Sequence, residues 1–449
     1  GDLAETVSLL WPDTNQTTQN IYLSLIIRKL QNTSRRDFPT LVSETLDHLT
    51  IPERFAFLKL IMGGLRVGVS ARLSKVALAE FGGKPVSEIE ELWYGLKPPY
   101  GDLFDWLEGK APVPQIDQSL VFRPMMLANP IRQEDLVKLK PDDFISEWKW
   151  DGIRALLVAD GSDCRLYSRT GDNIGRAFPD ILNSASFIGV LDGELLVARD
   201  GIAAPFAELQ KRLGRKTTTK RLLTEHPAHF RVYDILFDED EDLRAQPLEA
   251  RRKKLQLWAD KQTAPNIDIS PLVLFESWQE LSEIRDGTRA AGIEGLMLKR
   301  RDSPYIAGRP KGPWFKWKRD PLVADCVLMY AQRGHGKRSS YYSDYTFGCW
   351  RASKEGEDEL VPVGKAYSGF TNEELVELDR WVRAHATDRF GPVRAVERGL
   401  VFEVAFDAIQ SSKRHKSGLA MRFPRIHRIR WDKTPNDADR VETLETLVE

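Results

Sequence analysis

Three times in this chain, two charged residues stand two positions apart inside a short β-rich run: Glu147 and Lys149 within residues 144–149, Asp192 and Glu194 within 190–196, and Lys316 and Lys318 within 314–318. Successive side chains of a strand point to opposite faces, so each pair shares a face while apolar neighbours line the other. Such strands need sheets with one apolar side packed and one charged side turned to a partner, because buried charges without partners are costly. Lys316 and Lys318 repel one another unless an anion lies between them, which points to a phosphate. Asp192 and Glu194 call for a hydroxyl or a hard divalent cation, with Glu294 in 294–299 as a third carboxylate.

Lys149 is the centre of Glu147-Trp148-Lys149-Trp150-Asp151-Gly152-Ile153-Arg154. Asp151-Gly152 is a turn signal, and residues 154–158 read as the returning strand of a hairpin. That places Lys149 at a strand end beside a tight turn, as a candidate nucleophile facing a nucleotide. Tyr233, in the strand-like run 230–236, is a candidate platform for a purine ring. The phosphate loop G-x-x-x-x-G-K-[ST] is absent, and residues 334–338 only echo it. Phosphate binding therefore falls to side chains.

At 449 residues the chain has room for about three domains. Residues 1–108 carry apolar positions at helical spacing in 21–30 and 55–81, the latter interrupted by Gly63-Gly64. Linker composition at 108–114 marks a boundary near 110–120. From about 120 to 318, short strands alternate with turns and a few helices in an α+β pattern of antiparallel connections. Beyond Pro321, strands at 324–330, 345–350 and 400–406 with a helix at 371–384 fit a small barrel with one inserted helix. Gly1 in place of methionine suggests that part of the N-terminal region is missing.

Net charge is −1, but basic residues cluster: 299–320 holds eight Lys or Arg against two Asp, and 411–433 holds eight against one. Interleaved aromatics in both clusters point to phosphate or nucleic-acid contact. No apolar run of 18 residues could span a membrane. Three scattered cysteines give neither a zinc site nor a disulfide framework, which suits a reducing, intracellular setting.

In chain order, the octet around Lys149, Tyr167-Ser168-Arg169-Thr170-Gly171, and the segments at Asp192, Tyr233, Glu294 and Lys316 resemble the nucleotidyltransferase motifs of ATP-dependent DNA ligases. Residues 421–433 are similar to the C-terminal motif of that family's barrel domain, and 64–69 to part of its N-terminal DNA-binding domain. The resemblance implies a helical DNA-binding domain at 1–118, an antiparallel α+β nucleotidyltransferase domain at 119–319 and an OB-fold β-barrel at 320–449.

It also implies a reaction in three steps: adenylylation of Lys149 by ATP, transfer of AMP to the 5′-phosphate of a nick in duplex DNA, and displacement of AMP by the 3′-hydroxyl. Lys316 and Lys318 would hold the α-phosphate, Glu147 would accept from the adenine amino group, and Arg154 and Glu194 would hold the ribose. Arg169 would grip the nick phosphate and Tyr233 would stack on the base. Arg422 and Arg425 would reach the β- and γ-phosphates only in a closed state. Glu294 and Glu194 would bind Mg²⁺, with Mn²⁺ as a substitute, and Arg66, Lys413 and Arg414 would contact DNA. The implied protein is a monomer that encircles DNA, a bacterial accessory ligase of the cytoplasm and nucleoid. An RNA ligase, a capping-type nucleotidyltransferase and a non-catalytic DNA-binding homologue are the alternatives.

Overall fold

The computed structural model describes residues 2–12, 21–63, 65, 68–116, 119–215, 217–288, 292–334, 339–352, 356 and 358–448. The chain divides into two compact units, one comprising residues 1–92 and 97–114 and the other 93–96 and 115–449.

The first unit is helical: α1 (Leu3–Leu10), α2 (Leu23–Asn32), α3 (Phe38–Asp47), α4 (Ile51–Ile61), α5 (Ala71–Gly82), α6 (Val86–Trp93) and α7 (Gly101–Leu107). The apolar periodicity of 55–81 falls on two helices rather than one. A capping box between Thr50 and Glu53 starts α4, and Ser70 accepts from the Leu73 amide to start α5. Gly63, with φ +68°, follows the end of α4. Ala4, Leu46, Leu49, Phe57 and Leu58 form a buried core between α1, α3 and α4.

The second unit is built on curled, mostly antiparallel sheets. Its main strands up to residue 318 are β1 (Phe144–Trp150), β2 (Ile153–Asp160), β3 (Cys164–Ser168), β4 (Ile188–Arg199), β5 (Ala228–Asp238), β6 (Ile293–Arg300) and β7 (Trp314–Lys318). One five-stranded sheet runs Asn129–Pro130, β7, β6, β1, Leu272–Val273; another contains β3, β2, β4 and β5 in that order. Helix α8 (Leu248–Ala259) packs Leu255 and Trp258 into the core under the second sheet, beside Phe230 and Ile235. Each fully buried large side chain there contributes about 2–3 kcal/mol through the apolar surface it removes from water.

β1 and β2 are not a hairpin. β1 pairs with β6 and Leu272–Val273, whereas β2 pairs with β3 and β4, so Asp151-Gly152 carries the chain from one sheet to the other. Gly152 makes this crossing possible, because a Cβ there would lie 2.5 Å from the Leu195 carbonyl oxygen and 2.7 Å from the Leu196 side chain. The strand pattern was legible, but the partners that draw β1 away from β2 lie over a hundred residues on in the chain. Lys149 consequently stands at the seam between two sheets.

Beyond residue 320 the strands β8 (Leu322–Arg333), β9 (Tyr342–Arg351), β10 (Glu359–Ala366), β11 (Val401–Phe406), β12 (Ala408–Ser411), β13 (Leu419–Arg422) and β14 (Arg425–Arg430) continue the unit. β8 pairs with β9, β11 and Val393–Val396, and its pairing with β9 is irregular near Leu328 and Arg333. Such irregularities increase local twist and let one long strand serve several partners. Helix α9 (Asn372–Ala384) starts at a Thr371–Glu374 capping box and places Leu378 and Val382 against Tyr345, Phe347 and Phe402.

Candidate active site

Lys149 lies opposite Gly295 in the β1–β6 register, and the register shifts between Ile293 and Gly295, leaving Glu294 as an extra residue. A bulge of this kind re-aims a side chain. Here the Glu294 carboxylate lies 2.5 Å from the Lys149 ammonium and 3.2 Å from that of Lys318. Burial alone would raise the Glu294 carboxyl, but Lys149 and Lys318 hold it at about 2. Gly295 adopts φ +147°, and a Cβ there would lie 2.4 Å from the Trp317 carbonyl oxygen, so no side chain fits.

Arg154 and Glu194 are cross-strand partners, as β2 and β4 pair, and the Arg154 guanidinium reaches diagonally to Asp192. It binds both Asp192 oxygens, at 3.0 and 2.6 Å, and donates to the Tyr305 hydroxyl at 3.2 Å; Tyr305 in turn donates to Asp192 at 2.7 Å. Asp192 is thus satisfied inside the protein, and Glu194 is the member of that pair that faces the site. Burial raises the Glu194 carboxyl to about 8 despite Lys149 and Arg154 nearby. Near neutral pH it holds a proton for much of the time and so can donate as well as accept a hydrogen bond.

Glu147 is 1% exposed. Its two oxygens bind Lys299 at 2.6 Å and Arg252 at 2.8 Å. The Lys299 ammonium also lies 4.3 Å from the centre of the Tyr233 ring and 4.6 Å from that of Trp314. Glu147 therefore offers a neutralised, oriented acceptor in the pocket wall.

A cavity of about 390 Å³ collects these groups, with Glu147, Lys149, Arg154, Arg169, Glu194, Tyr233, Met297, Lys299, Arg309 and Lys316 in its lining. Its cations divide into two sets. Lys149, Arg154 and Lys299 each have a carboxylate partner. Among the described residues Arg169, Arg309 and Lys316 form no ion pair. Burial pushes the Lys316 ammonium below the usual lysine range, and Arg309, Lys149, Lys318 and Arg169 add to it by repulsion. Three unneutralised cations held at one cavity make an anion slot.

The other expected residues lie beyond this cavity. Lys318 turns instead to Glu294 and, at 3.3 Å, to Asp407; burial would lower its ammonium, but these carboxylates raise it. Arg422 binds Asp151 through two nitrogens and stacks 4.9 Å from the Phe206 ring centre, and Arg425 pairs with Asp407 at 3.2 Å. Lys413 and Arg414 are exposed in the turn between β12 and β13. Arg66 lies outside the described residues.

Residues 125–318 match the family described as ATP dependent DNA ligase domain, and residues 338–433 match the ATP dependent DNA ligase C terminal region. A probable DNA ligase of Koribacter versatilis (strain Ellin345) is 34% identical over 434 residues, 91% of this chain and 74% of that protein. The chain belongs to the ATP-dependent DNA ligases. A probable DNA ligase of Opitutus terrae is 33% identical, the ligase covering 46% of its length, and the DNA ligase of Archaeoglobus fulgidus is 33% identical over 305 residues, 54% of its length. This ligase therefore spans about half the length of those two relatives. A solved structure named Pmar-Lig_PreS3 shares the fold at a TM-score of 0.61 and 17% identity, covering 93% of this chain and 87% of that one.

Lys299, Arg309, Tyr305 and Arg252 are the ligase residues that sequence reasoning passed over. Arg309 sits in a loop pinned on both sides: the Gly308 amide donates to the Met125 carbonyl at 3.0 Å, and Asn129 donates to the Pro310 carbonyl at 2.6 Å. The basic cluster at 299–320 was the available signal, but only the fold separates its pocket-facing members from the rest.

Proposed function

We propose that this ligase seals nicks in duplex DNA through a covalent Lys149–AMP intermediate. The observation that carries the reading is the shared cavity: a lysine at a strand end, an aromatic ring, a buried acceptor and three unpaired cations line one space of nucleotide size.

In the first step the Lys149 amine attacks the α-phosphorus of ATP, a P–N bond forms, and the P–O bond to pyrophosphate breaks. Lys149 must leave Glu294 and give up a proton to attack. In the second step an oxygen of the nick 5′-phosphate attacks the same phosphorus, forming a P–O–P link and freeing Lys149. In the third the 3′-hydroxyl oxygen attacks the 5′-phosphorus, AMP leaves, and the phosphodiester is complete.

Tyr233 and Met297 bracket the base, whose amino group donates to Glu147 while a ring nitrogen accepts from Lys299. Arg154 and the protonated Glu194 hold the ribose. Lys316 and Lys318 neutralise the α-phosphate, and Arg169 with Arg309 grips the nick phosphate. Arg422 and Arg425 exchange Asp151 and Asp407 for the β- and γ-phosphates in a closed state. Among the described residues no three acidic, His or Cys side chains cluster as a metal cage. Mg²⁺ needs only one or two carboxylates besides substrate phosphates, and Glu294 with Asp151 supplies hard oxygens suited to it. Once bound there, Mg²⁺ would offset charge on the phosphates and the leaving pyrophosphate.

The strands after residue 320 are read as an OB-fold barrel over 320–449, following in sequence a helical domain over 1–118 and a nucleotidyltransferase domain over 119–319. Lys413, Arg414 and Arg66 would contact the duplex backbone. Incubation with α-phosphate-labelled ATP or GTP, or with adenylate-labelled NAD, tests the reading. Label from ATP alone on Lys149 supports it, and label from NAD or GTP instead would overturn it.

A further inference from the structure

Arg252 does not line the nucleotide cavity, yet it touches two residues of its wall, Glu147 and Tyr233, and a third, Ser270, behind it. From α8 its guanidinium binds Glu147 Oε1 at 2.8 Å, the Tyr233 carbonyl at 3.4 Å, and the Ser270 carbonyl. Glu147 belongs to β1 and Tyr233 to β5, so one side chain ties the two sheets together on the far side of the base pocket. Ser270 extends the tie: its amide donates to the Val232 carbonyl at 2.7 Å, and its hydroxyl accepts from the Trp150 indole at 3.0 Å.

α8 itself is fixed. Its preceding residue in sequence helps seat Arg252, since Arg251 is fully buried and binds both oxygens of Asp234, at 2.8 and 2.9 Å. At the helix start, the Leu248 and Glu249 amides donate to the Ser303 and Arg301 carbonyls. A planar guanidinium with several donors in fixed directions suits a three-way contact of this kind, and a lysine ammonium on a flexible stem does not reproduce it.

The position of Glu147 matters for base choice. With Arg252 on one oxygen and Lys299 on the other, an acceptor and a donor stand side by side in the wall. Adenine presents an amino donor next to a ring-nitrogen acceptor on its Watson–Crick edge, and guanine presents the opposite order. A wall with fixed acceptor and donor separates the two bases only while neither group turns.

We propose that Arg252 is a positioning and specificity residue for the nucleotide: it holds Glu147 against Lys299 and fixes Glu147 relative to the strand that carries Tyr233. The inference rests on the nucleotidyl-transfer reading, and it adds a residue behind the pocket that selects adenine without touching it.

The test measures Lys149 adenylylation by ATP and GTP in the native protein and in the Arg252→Ala and Arg252→Lys variants, with thermal unfolding of each. Arg252→Ala is expected to raise the KM for ATP about tenfold or more, the effect of losing a charge-assisted hydrogen bond, with kcat nearly unchanged. Its ATP-over-GTP preference should fall by a similar factor, and Arg252→Lys should recover part of both. An unchanged KM and preference in a folded Arg252→Ala protein overturns the proposal. So does a parallel loss of kcat and thermal stability that Arg252→Lys fails to relieve, since that marks a purely structural residue. If the native protein itself takes no label from ATP, the nucleotidyl-transfer reading falls, and this inference with it.

Discussion

Glu194 is the residue whose chemistry its surroundings change most. Burial raises its carboxyl from the ordinary glutamate range to about 8. The folded protein then binds a proton that the unfolded chain has released, so the group favours folding below about pH 4.5, and that contribution is lost as pH rises through about 8. A Glu194→Gln variant, which keeps the hydrogen-bonding shape without titrating, should lack this dependence. Melting temperatures measured from pH 5 to pH 8.5 should show the native protein losing ground to the variant by a few degrees; parallel curves would contradict the shift. At this scale much of the site was legible. Lys149, Glu147, Tyr233 and Lys316 announce themselves by chemical type and strand spacing, Arg169 only through the resemblance of its motif, and all line one cavity. Lys299 and Tyr305 did not, because each acts through a carboxylate, Glu147 or Asp192, over 100 positions away in sequence.

At the scale of elements, the decisive feature is the bulge in β6. The run 294–299 reads as a plain strand, and nothing in its residues says that Glu294 will be the extra one, because a bulge is a property of register with a partner. It depends on Gly295, whose φ of +147° disfavours any other residue. Gly295→Ala should cost about 1–3 kcal/mol of stability from backbone strain alone, read as a lowered melting temperature, and should also impair Lys149 adenylylation by displacing Glu294. Full activity in that variant would mean the bulge does not set the site. The crossing between β1 and β2 carries the same lesson. Asp151-Gly152 has hairpin chemistry, yet here it joins two sheets, because each strand finds stronger apolar partners elsewhere: β2 packs Leu157 against Leu191, while Trp148 and Trp150 pack beside Leu196 and Ile293.

At the scale of the whole molecule, alternating charges connect the nucleophile to the C-terminal strands. Lys149 meets Glu294, Glu294 meets Lys318, Lys318 meets Asp407, and Asp407 meets Arg425; Arg422 separately binds Asp151. The two arginines that the sequence suggested for the outer phosphates are thus paired with carboxylates. Their exchange for phosphate would confine them to the first step. Arg425→Ala should lose adenylylation by tenfold or more, about the value of one charge-assisted contact, yet still seal a nick that already carries AMP. Equal loss of both activities would refute that division of labour. On this mechanism Lys149 carries AMP from ATP to the nick. The most direct measurement compares ATP-dependent sealing of a nicked duplex by the native protein and by Lys149→Ala: sealing that disappears with the lysine is the expected result, and sealing that survives its removal would contradict the account.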